Sequence, residues 1–279
     1  MKVTEIIRLA FESVRYNLLR SVLTLLIIAL GITALVGILT SIDGIIYSMS
    51  SNFNSLGANS FSIDRKSENF RRHDRGKRTK QSPPVSYQEA QEFKERFGNK
   101  AIVSISYGAV GNGIIKYQNK KTNPTVRIRG IDENYFKVMG YEIEYGRSFS
   151  THELEYGISK AIVGKDIIKT LFDENAEKAL MQTITVNDQK YQIVGVLKSK
   201  GSSMNEGADR RVLIPLNKSK IEYATLDSDF DLNVSVPLAQ ELDDLISQAI
   251  GEMRIVRGLK SYEENNFEIN KSDGIITFL

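Results

Sequence analysis

The sequence of 279 residues contains no cysteine and no tryptophan, and it has only two histidines. The lack of cysteine excludes disulfides, cysteine nucleophiles and thiolate metal sites. Two histidines, His73 and His152, are too few for a metal site built from imidazoles alone. The net charge of +3 is small, so nothing in the overall charge indicates a nucleic-acid-binding protein.

Short motifs of the common enzyme classes are also missing. Neither a P-loop signature, G-x-x-x-x-G-K-[ST], nor a G-x-S-x-G nucleophile elbow occurs. The glycines of GAVGNG, residues 108–113, lie between two predicted strands and are interpreted as a hairpin turn. His73 and His152 are interpreted as surface residues. We therefore predict no catalytic residue, no cofactor-binding residue and no metal ligand on this chain, with a membrane-tethered enzyme as an alternative.

One hydrophobic run near the start of the sequence is long enough to cross a bilayer. Residues 21–42 contain no charged side chain, and thirteen of these 22 residues are leucine, isoleucine or valine. A helix of this length extends about 33 Å, against about 30 Å of hydrocarbon. We predict a transmembrane helix here, and the alternatives are a buried core helix and a cleaved signal peptide.

The charges on either side of this run predict its orientation. Lys2, Arg8, Arg15 and Arg20 precede it, and the next basic residue is Arg65. Basic residues gather on the cytoplasmic side of membrane helices. The N-terminus is therefore predicted in the cytoplasm, and the bulk of the chain outside it.

The helical pattern extends to both sides of the hydrophobic centre. Residues 1–20 place apolar and charged side chains at helical spacing, which predicts an amphipathic helix on the cytoplasmic leaflet or packed on protein. Inside the predicted span, Thr33, Gly37 and Ser41 fall four residues apart. Small residues at this spacing allow membrane helices to pack closely.

A stalk helix is predicted over residues 43–57, with Gly57 as its stop signal. Its apolar residues alternate four and three apart and form a heptad seam that requires a partner helix. The seam consists of Ile42, Ile46, Met49, Phe53 and Leu56. At the other end of the sequence, residues 274–279 are interpreted as the start of a second membrane helix, with an edge strand as the alternative.

Residues 58–273 alternate short strand and helix patterns and predict an α+β domain. Strand–helix units bracket a strand-rich centre, which favours a split βαβ part over 58–128 and 228–270 with a β-rich insertion over about 129–227. A capping box of Ser86 and Glu89 predicts a helix as far as Phe97, and Asn187-Asp188 predicts a hairpin. The basic segment 65–82 predicts a solvated loop, or a contact with acidic lipid headgroups or an acidic partner.

A series of motifs resembles the MacB-type, FtsX-like, permeases of ABC transporters, in the order in which that family carries them. The motifs are NLLRSVLT (17–24), FNSLGANSFSI (53–63), GIDENYF (130–136), GRSF (146–149), AIVG (161–164), LF (171–172), YQIVGV (191–196) and RVLIP (211–215). Together they extend over nearly the whole chain.

This resemblance implies a first membrane helix followed by an extracytoplasmic domain with a porter-like part and an inserted sabre-like part. It implies a non-enzymatic permease subunit of the bacterial inner membrane, which couples ATP hydrolysis to movement of that domain for export or extraction of a substrate. The stalk seam is where this coupling is expected, and the family's later membrane helices would follow residue 279.

The resemblance also implies partners. ATP and Mg²⁺ would be bound by an ABC ATPase subunit, two permease copies would pair, and a periplasmic adaptor and membrane lipid are further expected contacts. Nucleic acid is not an expected partner. The alternative function is a signal-anchored extracytoplasmic binding or sensor module that works without an ATPase.

Overall fold

The computed structural model describes residues 15–56, 59–66, 82–199 and 209–271, with the side chains of the first range described as far as Gly44. Residues 1–14 of the predicted amphipathic helix, most of the basic segment 65–82, and the apolar residues 274–279 lie outside the described residues. The chain divides into two compact units, Met1–Phe53 and Asn54–Leu279.

Helix α1 runs without a break from Leu18 to Leu56. It covers both the predicted membrane span and the predicted stalk, and it ends one residue before Gly57. At 1.5 Å per residue, its 39 residues extend about 58 Å. The stretch Leu18–Gly44 contains an 18-residue window with a mean hydropathy of 2.8, and no part of this window is buried, so the length and composition of the stretch allow it to cross a membrane.

Strands and short helices alternate in the second unit. Its strands are β1 (Ser60–Arg65), β2 (Ile102–Gly113), β3 (Ile115–Tyr117), β4 (Lys120–Lys121), β5 (Val126–Ile131), β6 (Ile143–Gly146), β7 (Lys160–Val163), β8 (Thr183–Val186), β9 (Gln189–Leu197), β10 (Arg211–Pro215), β11 (Phe230–Ser235) and β12 (Phe267–Lys271). Its helices are α2 (Tyr87–Phe97), α3 (Tyr135–Met139), α4 (Thr151–Glu155), α5 (Lys165–Phe172), α6 (Ala176–Ala179), α7 (Leu216–Tyr223) and α8 (Leu242–Val256), and a 3₁₀ turn, Ala239–Glu241, precedes α8.

Among the described residues, all of these strands belong to one mixed sheet. Its order is β12-β1-β11-β2-β5-β10-β7-β9-β8-β3-β4, and β6 pairs with β9. The pairs β5–β10 and β7–β9 are parallel, and the remaining pairs are antiparallel. The fold is therefore one N-terminal apolar helix followed by an α+β sheet domain, as the sequence predicts.

The first and last strands of the domain bring its two chain ends together. β1 begins at Ser60 and β12 ends at Lys271, and the two strands are antiparallel neighbours in which Phe61 faces Lys271. The chain therefore reaches the domain and leaves it at the same edge of the sheet.

Local sequence signals predict several of these elements well. Ser86 and Glu89 form the predicted capping box of α2, which ends before Gly98. Asn187 and Asp188 have φ angles of 43° and 68°, so both residues of the predicted β8–β9 hairpin turn adopt the left-handed conformation that this short turn requires.

The prediction of a hairpin turn at residues 108–113 is wrong. These residues continue strand β2 as far as Gly113, and the register with β5 shifts between Gly108 and Val110 and again between Val110 and Gly113. Such shifts are bulges, which bend and twist a strand without ending it. Glycine is favoured at bulges and tight contacts as well as at turns. A Cβ on Gly113 would lie 2.8 Å from Cδ1 of Ile128.

Among the residues that the structure describes, the hydrophobic core has three clusters. The first joins α2, α8 and the strands β1, β2, β11 and β12, the second surrounds α5 and the strands of the sheet's other half, and the third surrounds Tyr135, Tyr141 and Phe149. One sheet connects the clusters, and Ile115 and Val126, from before residue 129, belong to the second. The division into porter-like and sabre-like parts at 129 and 227 stays a prediction.

Candidate functional site

Small residues occupy one face of the second half of the apolar stretch in α1. At 100° per residue, Thr33, Gly37, Thr40, Ser41 and Gly44 fall within a sector of about 100°. The hydroxyls of Thr33 and Ser41 donate to the carbonyls of Ala29 and Gly37 at 2.7 and 2.8 Å. Because these hydroxyl groups form hydrogen bonds within the helix, they present no unsatisfied donor to surrounding hydrocarbon. The packing role predicted for Thr33, Gly37 and Ser41 stays a prediction.

The predicted stalk seam lies on the same helix. Ile42 is exposed, and Ile46, Met49, Phe53 and Leu56 lie within α1, although their side chains are outside the described part of the chain. The helix is continuous through the seam, so the four–three spacing does place these positions along one helical stripe. Their coupling role stays a prediction.

In the second unit, the buried carboxylate of Asp132 ties three segments together. It accepts hydrogen bonds from Lys94 Nζ on α2 at 2.6 Å, and from Ser104 Oγ and Ile105 N on β2 at 2.7 and 2.8 Å. Burial raises the pKa of Asp132, and Lys94 only partly offsets this. Burial lowers the pKa of Lys94, but its carboxylate partners outweigh burial and raise it. The result is a buried ion pair between α2 and the end of β5.

Lys94 also reaches a second carboxylate, on the exposed side chain of Glu133. The Nζ–Oε1 distance is 2.7 Å, and 59% of the Glu133 side chain is exposed, against 5% for Asp132. Partial burial raises the pKa of Glu133, but the hydrogen bond and charge of Lys94 outweigh it and hold the pKa below its usual value. One ammonium group therefore serves two carboxylates of very different exposure.

A second ion pair crosses the sheet near the same place. Arg129 on β5 donates to Ser106 on β2 at 2.9 Å and to Asp231 on β11 at 2.5 Å. Burial lowers the pKa of Arg129, and the carboxylate of Asp231 more than compensates. The three strands β5, β2 and β11 are thus cross-linked by side chains as well as by their backbones.

Gly130 allows α7 to pack directly on β5. A Cβ at this position would lie 1.7 Å from Oγ of Ser219 and 2.5 Å from its Cβ, so any larger residue forces the helix or the strand to move. Gly130, Ile131 and Asp132 open the GIDENYF motif, and each is fixed by packing or hydrogen bonding. Residues of this motif therefore make the contacts that join the end of β5 to α2 and α7.

The GRSF motif likewise has a structural role. Arg147 donates to both carboxylate oxygens of Glu153, at 2.7 and 2.8 Å, and Ser150 N donates to the same carboxylate at 2.9 Å. The hydrogen bonds from Arg147 lower the pKa of Glu153 to about 2, even though burial opposes them. Gly146 has a φ of 80° and packs against the carbonyl of Val194. This motif holds the segment after β6 against β9.

The two histidines are the candidates for catalysis, and the structure describes the surroundings of His152 alone. His152 is exposed, and its ring lies 4.5 Å from that of Tyr156. His73 lies outside the described residues. Over the described ranges, no group of three or more histidine, aspartate or glutamate residues is arranged to hold a metal ion.

A groove of about 450 Å³ lies beside the Lys94–Asp132 ion pair. Its walls come from α2, the end of β5, the end of α4 and the start of α7. Four carboxylates line it, with one ammonium group, that of Lys94. We call this feature the junction groove, because Ile105 and Leu216 from the first core cluster meet Ile131 and Leu154 from the third there.

A family model described as the MacB-like periplasmic core domain matches residues 21–250. The chain belongs to this family. The macrolide export ATP-binding/permease protein MacB of Bdellovibrio bacteriovorus is 27% identical over 210 residues, which are 74% of this chain and 30% of that protein. An uncharacterized ABC transporter permease, YvrN of Bacillus subtilis, is 25% identical over 73% of this chain and 49% of its own length.

Solved structures of MacB-like domains share the fold. The periplasmic region of MacB from Actinobacillus actinomycetemcomitans matches with a TM-score of 0.59 at 18% identity, over 81% of this chain and 95% of that one. The extracellular domain of the transporter YknZ from Gram-positive bacteria matches with a TM-score of 0.56 at 16% identity, over 76% and 99%. The chain spans about a third of the length of the MacB proteins it matches.

Sequence reasoning finds the motifs of the MacB-like domain but not their contacts. GIDENYF contains Asp132 and follows Arg129, yet no pattern marks Lys94 on α2 as the partner of Asp132 or Asp231 on β11 as the partner of Arg129. These pairs are separated by 38 residues for Lys94–Asp132 and 102 residues for Arg129–Asp231. Only the fold of the sheet brings them together.

Proposed function

We propose that this chain is the first membrane helix and the extracytoplasmic domain of a MacB-type ABC permease. In this proposal the N-terminus lies in the cytoplasm, α1 crosses the plasma membrane of a bacterium, and the sheet domain lies outside. A partner ABC ATPase binds ATP and Mg²⁺, and two permease copies pair. ATP-driven movement of the stalk helices moves the external domains for export or extraction of a substrate.

One observation carries the proposal: a single helix of 39 residues joins an apolar stretch of membrane-spanning length to a domain of the MacB family. A helix has a fixed rise per residue, and α1 contains no proline and stays helical through its three glycines, Gly31, Gly37 and Gly44. Displacement at one end of such a helix is therefore passed to the other end. Packing along a seam gives the discrete arrangements that a two-state movement requires.

The domain's chain ends support the same proposal. Ser60 and Lys271 lie at one edge of the sheet, so the segments before β1 and after β12 act on the domain at adjacent points. A relative movement of two segments attached side by side tilts the domain as a body. The cross-linked strands β5, β2 and β11 favour such rigid movement over internal deformation.

The proposal predicts that a charge in the stalk seam uncouples the external domain from ATP. In the whole transporter with its ATPase, spin labels on Leu226→Cys of two copies should change their separation when ATP is added. Ile46→Asp or Phe53→Asp should abolish this change while ATP binding survives, because a carboxylate in an apolar seam prevents its packing. The measurement is the distance distribution by pulsed electron paramagnetic resonance.

Ser48→Asp is the matched control, since Ser48 lies on the same helix but off the heptad seam. It should leave the ATP-dependent change intact. An unaltered distance change in both Ile46→Asp and Phe53→Asp would contradict the coupling role of the seam.

A further inference from the structure

Three lysines lie on one line across the strands at one end of the sheet. Lys121 on β4 faces Lys116 on β3. Thr185 on β8 faces Lys116 on one side and Lys190 of β9 on the other. Residues that face each other across antiparallel strands share a side of the sheet, and at about 4.8 Å per strand this line extends about 14 Å. We call these four residues the lysine row.

The lysine row lies on the open side of its strands. The sequence neighbours of the row residues are buried in the second core cluster, among them Ile115, Ile184 and Tyr191. Successive residues of a strand point to opposite sides of the sheet, so the row faces away from that cluster. Its three lysines are exposed. The row is therefore a strip of positively charged surface.

The positive charges of the row are poorly compensated by the chain itself. Like charges directly opposite each other on neighbouring strands destabilise a sheet, and Lys116 and Lys121 form such a pair. Asp188 lies 3.7 Å from Lys116 Nζ, but its side chain is 92% exposed. Over the described ranges, Lys121 and Lys190 form no ion pair. The row therefore offers cations to an anion from outside the chain.

Protection of the sheet's edge accounts for one of these lysines. β4 is the last strand in the sheet order, and lysine on an edge strand discourages pairing with another chain. Lys116 and Lys190 lie on β3 and β9, which have paired strands on both sides. Their position on this surface therefore requires another explanation.

The next line of facing residues carries no apolar side chain either. Thr183 faces Gln192, and Gln192 faces Lys160 and accepts a hydrogen bond from its Nζ. Protein–protein interfaces are usually anchored by aromatic or arginine side chains, and lysine is depleted in them. Single-stranded nucleic acids stack their bases on aromatic side chains. Both lines therefore favour a partner that binds through charge alone.

We propose that the lysine row binds a linear polymer of phosphate groups, which crosses β4, β3, β8 and β9 and pairs its charges with Lys121, Lys116 and Lys190. Lysine binds phosphate as a compact point charge and imposes no fixed geometry, which suits a flexible chain. A line of about 14 Å presents its ammonium groups to an extended ligand and not to a single ion. This inference goes beyond the proposed transport function and does not depend on it.

The test is a lysine footprint of the full chain in nanodiscs of a zwitterionic lipid. The probe is linear inorganic polyphosphate, and orthophosphate at the same phosphate concentration is the control. The rate of acetylation at each lysine is followed by mass spectrometry. Polyphosphate should slow the three row lysines by at least about fivefold, because an ammonium group paired with phosphate is held away from the reagent. Orthophosphate should leave their rates unchanged.

Three exposed lysines outside the row are the internal controls, and they are Lys100, Lys137 and Lys260. Their rates should stay the same when polyphosphate is added. Equal slowing of the row lysines and the control lysines would refute the proposal, and so would unchanged rates in the row.

A variant tests whether the three lysines share one ligand. Lys116→Gln, at the centre of the row, should raise by at least about threefold the polyphosphate concentration that half-protects Lys121 and Lys190, since linked contacts strengthen one another. Lys137→Gln removes the same charge elsewhere and should leave this concentration unchanged. An unaltered thermal unfolding curve confirms that each variant is folded. An unchanged concentration in Lys116→Gln would overturn the shared ligand.

Two further arms distinguish other anions. Stronger protection of the row by poly-L-glutamate than by polyphosphate would overturn the phosphate polymer in favour of an acidic peptide. Protection in nanodiscs of phosphatidylglycerol, with no polymer present, would overturn it in favour of lipid headgroups. The assay needs no ATPase, so its failure leaves the proposed transport function standing.

Discussion

At the scale of single residues, the two carboxylates that share Lys94 show how burial changes what an ion pair contributes to stability. Asp132 and Glu133 lie at nearly the same distance from the same ammonium group, but only Asp132 is buried and accepts further hydrogen bonds from β2. Removing the Asp132 carboxylate leaves the buried donors Ser104 Oγ and Ile105 N without an acceptor, while Lys94 keeps Glu133 as its partner. An exposed pair contributes little. The two residues should therefore respond very differently to the same substitution.

We predict that Asp132→Ala lowers the free energy of unfolding by about 2–6 kcal/mol, since each of the two buried donors left unsatisfied costs about 1–3 kcal/mol. Glu133→Ala, the matched control, should lower it by less than about 1 kcal/mol. The measurement is urea denaturation of the detergent-solubilised chain, followed by circular dichroism. Equal losses in the two variants would show that burial does not distinguish them, and the description of Asp132 as the structural tie would be wrong.

At the scale of elements, the parts predicted from sequence are those with a complete local signal. The capping box of Ser86 and the two left-handed residues of the β8–β9 turn are such signals, and both elements form as predicted. The glycines at 108–113 were ambiguous because bulges and turns favour the same residue. Helices α3 to α7 were not predicted, since segments of four to eight residues show too little of the helical period.

The packing of α7 on β5 belongs to the same scale, and it yields a prediction. Gly130→Ala should destabilise the domain by about 1–3 kcal/mol, because the added Cβ meets Ser219. Adding Ser219→Gly removes that clash but costs about 1 kcal/mol in a helix. The quantity to measure is therefore the coupling energy of the double-mutant cycle, which we expect to be at least about 1 kcal/mol in favour of the pair.

Gly108→Ala serves as the control for this cycle. The nearest atom to its added Cβ is in the Arg129 guanidinium, 3.9 Å away, so it should not destabilise the domain. A coupling energy near zero between positions 130 and 219 would mean that the close approach of α7 to β5 does not determine the stability.

At the scale of the whole molecule, composition and hydropathy predict the membrane helix and the α+β class, and the order of motifs predicts the family. The junction groove could not be predicted, because its residues come from α2, β2, the end of β5, α4 and α7, which only the folded sheet brings together. The motifs that identify the family mark joints of the fold, as Gly130 and Arg147 illustrate. Membership of the family therefore predicts the fold of this chain, and the proposed coupling function requires a separate test.

The central claim is that α1 crosses the membrane and leaves the sheet domain outside the cytoplasm. These 279 residues contain no cysteine, so a single cysteine introduced into this chain gives an unambiguous label. Leu226→Cys lies at a fully exposed position of the domain, and Ser13→Cys lies before the apolar run. With a membrane-impermeant maleimide on intact spheroplasts, the account predicts labelling at position 226 at once and at position 13 only after the membrane is permeabilised. Labelling at position 13 but not at 226 in intact spheroplasts would contradict it.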